Sequence, residues 1–190
     1  INLIVKNGIK EIVLSGINVG DFGSRNENLY DLLLEIEKVD KLKRYRISSI
    51  EPNLITDEII EFTAGSKKFL PHFHIPLQSG SDEILKTMRR RYKTKLYSDR
   101  IKKIQSIMPH ACLGADVIVG FPGESDDQFK ETYDFLNALD ISYLHVFSYS
   151  MRDNTEAVKI KDKIPHNIIS ERSKILHDLS MVKKRHFYKK

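Results

Sequence analysis

Apolar residues along this chain follow two rhythms that alternate. Compact aliphatic and aromatic runs at 11–17 (EIVLSGI), 45–50, 73–77, 113–119 and 143–147 predict five strands. Between them, apolar residues three and four apart predict helices at 29–39, 56–63, 82–88, 95–108 and 127–139. Tyr97, Ile101, Ile104 and Met108 would line one face of the fourth of these. Phe129, Tyr133, Leu136 and Leu139 would line one face of the fifth. Asn28 is placed to cap the first helix, and Thr56-Asp57-Glu58 opens the second. Ile1, Ile4, Val5 and Gly8 also follow helical spacing, with Gly8 as the C-terminal cap. Pro165 suits the first turn of a last helix, whose apolar face reads as Ile168, Ile175, Leu179 and Val182.

Five strands alternating with helices require a parallel sheet, and either a barrel or a doubly wound sheet satisfies the pattern. No GxGxxG comes after a strand and no GxxxxGK[ST] is present, so the open nucleotide-binding sheets lack their signatures. There is no internal repeat. The carboxyl end of every strand is polar. The first ends in Ser15-Gly16-Ile17-Asn18, the second in Ser48-Ser49-Ile50-Glu51-Pro52, and the third in Gln78-Ser79-Gly80-Ser81-Asp82. The fourth carries Asp116 and then Gly120-Phe121-Pro122-Gly123-Glu124. The fifth ends in Ser148-Tyr149-Ser150. Ligands of barrels and open α/β sheets sit at these carboxyl ends, so the set points to a small polar ligand.

Each residue also has a plainer role. Glu51 before Pro52 can simply start a turn. Gln78 can satisfy backbone groups of the QSGS turn instead of a ligand. Asp116 lies in an apolar strand, where a lone carboxylate costs several kcal/mol, so a partner or ligand is expected. Pro122-Gly123 fits a type II turn, and Glu124-Ser125 the start of the next helix. His72 and His74 share a strand face, where cross-strand packing competes with metal binding. Cys112 reads as a small core residue. No GxSxG or HExxH is present, so standard hydrolase chemistry has no foothold.

Composition narrows the picture. Of 190 residues, 41% are hydrophobic and 30% charged, an ordinary globular balance. A single cysteine excludes a disulfide framework and any multi-thiolate metal site made by this chain alone. No membrane-length apolar run and no signal peptide are visible, so a reduced, cytoplasmic location is expected. The net charge of +5 is unevenly spread. Segment 86–103 holds nine basic residues against Asp99 alone, while 116–140 holds seven acids against Lys130. The basic segment is either a solvated helix face or a phosphate-contacting surface.

HIPLQSGSDEILKTMRR (74–90) resembles the signature of the radical S-adenosylmethionine methylthiotransferases. GADVIVGFPGES (114–125), EIVLSGINVGDFG (11–23) and VFSYSMRDNTEA (146–157) resemble further stretches of that family. The similarity runs from about residue 1 to residue 188. Within the family, the GINVGDFG loop and SYSxRxxT stretch are most similar to enzymes acting on threonylcarbamoyladenosine at tRNA position 37. The resemblance implies an α/β fold, an incomplete TIM-like (β/α)6 radical-SAM barrel lacking its first strand and cluster loop. Residues 1–164 would form units two to six. Residues 165–190 would form a C-terminal helix leading toward a TRAM domain outside the chain.

The same resemblance assigns roles. Glu51 would hold the ammonium of S-adenosylmethionine and Arg90 its carboxylate. Gln78 and Asp116 would bond the ribose hydroxyls. Gly16 would allow close approach at the methionyl end, and backbone near Ile118 and Phe147 would frame adenine. The cysteines of the [4Fe–4S] clusters would lie outside this chain. The intact enzyme would form a 5′-deoxyadenosyl radical that takes hydrogen from C2 of the adenine of threonylcarbamoyladenosine 37, and then insert a methylthio group. The chain alone is expected to be inactive. The implied partner is a tRNA anticodon stem-loop, with no membrane. An exposed edge at 11–17 would favour a dimer. Alternatives are isopentenyladenosine 37 as substrate, a non-catalytic basic RNA-binding module, or a barrel lyase or hydrolase using Glu51, His74 and Asp116. An aspartate of a ribosomal protein is a further candidate substrate, but that family has QHAS where this chain has QSGS.

Overall fold

The structure is a computed structural model that describes residues 1–24, 26–153 and 155–190. Asn154, inside the stretch 146–157, lies outside the described residues. The chain opens with α1 (Asn2–Lys6) and β1 (Glu11–Leu14). A small hairpin of β2 (Gly23–Ser24) and β3 (Glu27–Asn28) comes next, then α2 (Leu29–Lys38), β4 (Arg44–Ile47), α3 (Asp57–Gly65) and β5 (His72–His74). The second half holds α4 (Asp82–Thr87), α5 (Thr94–Ile107), β6 (Cys112–Val119), α6 (Asp126–Ala138), β7 (Tyr143–Ser148) and α7 (His166–Phe187).

β1 pairs in parallel with β4, and β5, β6 and β7 form a second parallel ladder. A bridge between Tyr45 and Phe69, and a bond from Ile50 N–H to His74 C=O at 3.0 Å, join the two ladders. The five main strands therefore lie side by side in chain order, as in part of a barrel. No closed barrel is present among the described residues. No helix among them is long and apolar enough to cross a membrane.

The predicted elements are present, with instructive differences at their ends. Asn28 and Asp31 form a capping box on α2, and Ser125 and Gln128 form another on α6. Thr56 Oγ1 accepts from Ile59 N–H at the start of α3. Such caps contribute about 1 kcal/mol each. The first strand stops at Leu14, and Ile17 stands fully exposed in the loop beyond it. β5 is short because Pro76 has no N–H to offer. Pairing to β6 nevertheless continues through Ile75, Leu77 and Gln78. The hairpin β2–β3 has no signal in the apolar pattern.

Leu113, Ala115, Val117 and Val119 point outward from β6 and are buried under the helices, where Tyr97, Ile101 and Ile104 of α5 join them. The predicted face of α7 is displaced. Ile175 and Val182 are exposed, whereas Arg172, Leu176, Leu179 and Ser180 are buried. Two polar residues hide this face from an apolar count. Ser180 Oγ accepts from Leu144 N–H at 2.9 Å and donates to Leu144 C=O, while Arg172 meets a buried carboxylate.

Gly80 shows how closely the start of α4 sits on α6. Its N–H donates to Thr132 Oγ1 at 3.0 Å, and an added Cβ would lie 2.6 Å from Thr132 Cα. The obstacle is helix backbone, which cannot rotate away. Gly80→Ala is expected to lower stability by about 1–3 kcal/mol in urea unfolding, the usual cost of overpacking. An unchanged unfolding midpoint would show that α6 can step back freely.

Candidate functional site

The pleat that buries one face of the sheet turns a polar face the other way. Register places His72, His74, Gly114, Asp116, Ile118, Tyr143, His145 and Phe147 together on it. Glu11, Arg44 and Arg46 extend it across β1 and β4, with Glu11 bonded to Arg44 at 2.5 Å.

Asp116 has the partner that its apolar strand demanded. His74 Nε2 lies 2.8 Å and His145 Nδ1 3.3 Å from Asp116 Oδ1. His74 Nδ1 is 3.4 Å from Tyr143 OH, which is 2.9 Å from His72 Nε2. One assignment of the ring tautomers satisfies the whole network. His74 donates through Nε2 to the carboxylate and accepts from Tyr143 through Nδ1. Tyr143 in turn accepts from His72 Nε2–H. In this assignment His72 Nδ1, which is buried without a partner, carries a lone pair. Burial, reinforced by the charge of Arg46, lowers the pKa of His72, consistent with a neutral ring. Burial likewise pushes the Tyr143 hydroxyl up to about 12, so it stays a donor. The ligand atoms of His74, Asp116 and His145 lie within 4.8 Å of one another and could hold a metal ion, but here they satisfy each other. His72 and His74 thus pack across strands on one face, through Tyr143.

At the carboxyl end of the sheet, Glu51 and Arg90 come together from positions 39 residues apart. Arg90 Nη1 donates to Glu51 Oε1 at 3.0 Å, with both side chains about three-tenths exposed. Arg89, in the left-handed region at φ 57, reverses the chain after α4. Arg90 Nε is buried with no partner. Gln78 is also left-handed, at φ 71, a conformation that costs a non-glycine residue about 1–3 kcal/mol and collects at functional sites. Its backbone bridges β5 to β6, receiving from Ile118 N–H at 2.9 Å and donating to Asp116 C=O at 2.8 Å. The QSGS turn is satisfied by Ser79 Oγ and Thr132 rather than by the Gln78 carboxamide, which has no partner among the described residues.

Ile118 pairs with Phe147, whose ring is half exposed. Gly16 lies just beyond β1; a Cβ there would meet only Val19, at 3.6 Å, so nothing in the chain itself requires glycine. Phe121 to Glu124 form the expected type II turn, with Glu124 N–H bonded to Phe121 C=O at 2.9 Å and Gly123 at φ 84. Two adjoining cavities open here and share Met88, Arg89 and Arg90. One, about 560 Å³, is lined by Ile118, Phe121, Tyr149 and Ile160. The other, about 250 Å³, is lined by Asn18, Asp21, Glu51 and Arg91.

Sequence reasoning misses two residues here and names a third, Tyr149, only as part of a polar strand end. Tyr143 and His145 read only as parts of a strand, although alternation in YLHVFS puts them on the face of Asp116. Tyr149 stacks edge-on against Phe121 and has a buried hydroxyl with no partner; its signal is its place after the last strand. Cys112 is half-buried at the start of β6 rather than deep in the core, and burial raises its pKa.

Residues 1–136 match the family model described as Radical SAM superfamily. The chain belongs to that superfamily. Its resemblance to the methylthiotransferases extends along its length. It is 45% identical over 172 residues to the threonylcarbamoyladenosine tRNA methylthiotransferase MtaB of Bacillus subtilis, covering 89% of this chain and 38% of that protein. It is 39% identical over 180 residues to the tRNA-2-methylthio-N(6)-dimethylallyladenosine synthase of the same organism, covering 93% of this chain and 35% of that protein. The chain thus spans well under half the length of these relatives. Among solved structures, the radical SAM enzyme coproporphyrinogen III oxidase HemN of Escherichia coli superposes with a TM-score of 0.71 at 14% identity. The superposition covers 92% of this chain and 41% of that one. The likeness establishes the fold: an α/β radical SAM domain, present here as a partial barrel.

Proposed function

We propose that this chain carries the cofactor-binding face of a tRNA methylthiotransferase that modifies threonylcarbamoyladenosine 37. The observation that carries the reading is the Glu51–Arg90 pair at the carboxyl end of the sheet, the end at which the β5 pairing closes in Gln78, whose carboxamide has no partner among the described residues. Both groups of the pair are positioned to take a ligand that brings its own ammonium and carboxylate. Glu51 would accept from the ammonium, and the Arg90 guanidinium, with its orphaned Nε, would donate to the carboxylate. Gln78 and the second oxygen of Asp116 would accept from the ribose hydroxyls, while the first oxygen stays with the histidines. The cavity beside Ile118, Phe121, Tyr149 and Ile160 offers apolar and aromatic walls against which an adenine could rest. When bound at an iron–sulfur cluster, S-adenosylmethionine supplies hydrogen abstraction and a methyl group.

The cluster itself does not fit these residues. The one cysteine is half-buried at the opposite ends of the strands, paired in register with His72. A [4Fe–4S] cluster needs several thiolates. No turnover is therefore expected from the 190-residue chain alone, and turnover with iron shown to be absent would overturn this expectation.

The test is a chimera in which this chain replaces the matching segment of the Bacillus subtilis MtaB protein, with tRNA nucleosides analysed by mass spectrometry. Methylthiolated threonylcarbamoyladenosine is the expected product. Failure there, with methylthiolation of dimethylallyladenosine by the corresponding chimera of the synthase, would favour the other substrate. Binding of S-adenosylmethionine by the isolated chain, measured by equilibrium dialysis, separates cofactor recognition from substrate choice.

A further inference from the structure

The fold divides the basic segment 86–103 into two parts with different fates. In α5 three of the four basic residues are answered. Lys95 bonds Asp99 at 2.8 Å, Lys103 bonds Glu61 at 2.7 Å, and Arg100 pairs with Asp57. Asp57 and Glu61 are one turn apart on α3, the helix packed beside α5. Arg100 and Lys103 thus form an ion-paired seam with α3, Lys95 is paired within its own helix, and Lys102 is exposed without an ionic partner among the described residues. The other half precedes α5. Lys86, Arg89 and Arg91 are exposed. Among the described residues, the ionic contact of these three is Arg89 to Glu156, at 3.6 Å with both side chains more than half exposed. A pair so solvated yields readily to a stronger anion.

Their position gives the charge a purpose. Arg89 and Arg91 flank Arg90 in sequence, and the left-handed turn at Arg89 sends the three guanidiniums different ways. Arg90 turns inward to Glu51, while Arg89 and Arg91 line the rim of the polar cavity above it. Of the acids lining that cavity, Glu51 is paired with Arg90, while Asp21 accepts from the neutral Asn18 Nδ2 at 2.5 Å and keeps its charge, so three guanidiniums face two carboxylates. The lining is thus net cationic, with Arg89 and Arg91 exposed at the carboxyl end of the sheet. Guanidinium forks match phosphate oxygens in pairs.

We propose that Arg89 and Arg91, with Lys86 beside them, form the phosphate-contacting rim that holds an RNA backbone over this face. This deepens the tRNA reading above and rests on it. The test is fluorescence anisotropy of a labelled tRNA anticodon stem-loop against the chain at several KCl concentrations. For Arg89→Gln with Arg91→Gln, the slope of log affinity against log salt should flatten by about 1.4, at about 0.7 per phosphate contact. Affinity at physiological salt should fall about tenfold. The control, Arg100→Gln with Lys103→Gln, should change neither. Equal losses in both variants, an unchanged slope, or no RNA binding by the chain would overturn the proposal. So would equal binding of polyglutamate with the same loss, since the rim would then be a generic anion surface. S-adenosylmethionine dialysis on the same variants keeps the two readings apart. Retained RNA behaviour without cofactor binding would sink the cofactor reading alone.

Discussion

Arg172→Met is expected to destabilise the fold by about 3–5 kcal/mol, the cost of stranding one member of a buried ion pair. Arg172 lies on the buried face of α7 and is 5% exposed. Its Nη1 donates to Glu124 Oε2 at 2.7 Å and to Glu124 C=O at 3.0 Å, and its Nη2 donates to Asp126 at 2.7 Å. The guanidinium also stacks over Phe129, 5.2 Å from the ring centre. Glu124 in turn accepts from Gly120 N–H at 2.8 Å, so one side chain clamps both ends of the 120–124 turn. Burial already raises the pKa of Glu124, opposed by the Gly120 bond and by Arg172.

Removing the arginine raises that pKa further. The folded variant then holds a proton that the unfolded chain releases, so stability should fall as pH rises above the carboxyl's ordinary value. Urea unfolding of Arg172→Met should accordingly show a more stable protein near pH 5 than near pH 7. Adding Glu124→Gln should recover part of the loss and remove the pH dependence. A single variant as stable as the parent, or one that gains stability toward pH 7, would refute the clamp.

Asp116→Ala should weaken S-adenosylmethionine binding by about 10- to 100-fold, the worth of one or two hydrogen bonds to a charged acceptor. The loss has two sources. The carboxylate oxygen proposed for the ribose disappears, and His74 and His145 lose the group that orders them. Asp116→Asn keeps one acceptor oxygen and should fall between. His74→Asn, which can still donate through its amide, should cost less than His74→Ala. Equilibrium dialysis reads all four, with urea unfolding to exclude loss of the fold. Unchanged affinity in Asp116→Ala would remove this residue from the site.

Much of this was legible because it is local. Strands showed as apolar runs, and Asn28, Thr56 and Ser125 announced the helices they cap. The polar residues after the strands stood out because they recur at the same end of all five, although each also has a local role open to it. The hidden features depend on distant partners. Asp116 advertised a missing partner, but only the β5–β6 register names His74, 42 residues away. Segment 86–103 looked uniform until α3 brought Asp57 and Glu61 against its second half. Arg172 and Ser180 concealed the buried stripe of α7, because an arginine reads as solvent-facing unless a buried carboxylate such as Glu124 is known to face it.

The order of the main strands bears on how the chain reaches this state. Each strand lies beside the one just before it in sequence, so each loop to be closed is one strand–helix unit long. Such nearest-neighbour wiring keeps contact order low for a parallel sheet and speeds folding. A chain emerging from the ribosome can dock each new unit on the last, without waiting for a distant segment. Pulse-labelled hydrogen exchange during refolding should therefore protect neighbouring strands in blocks.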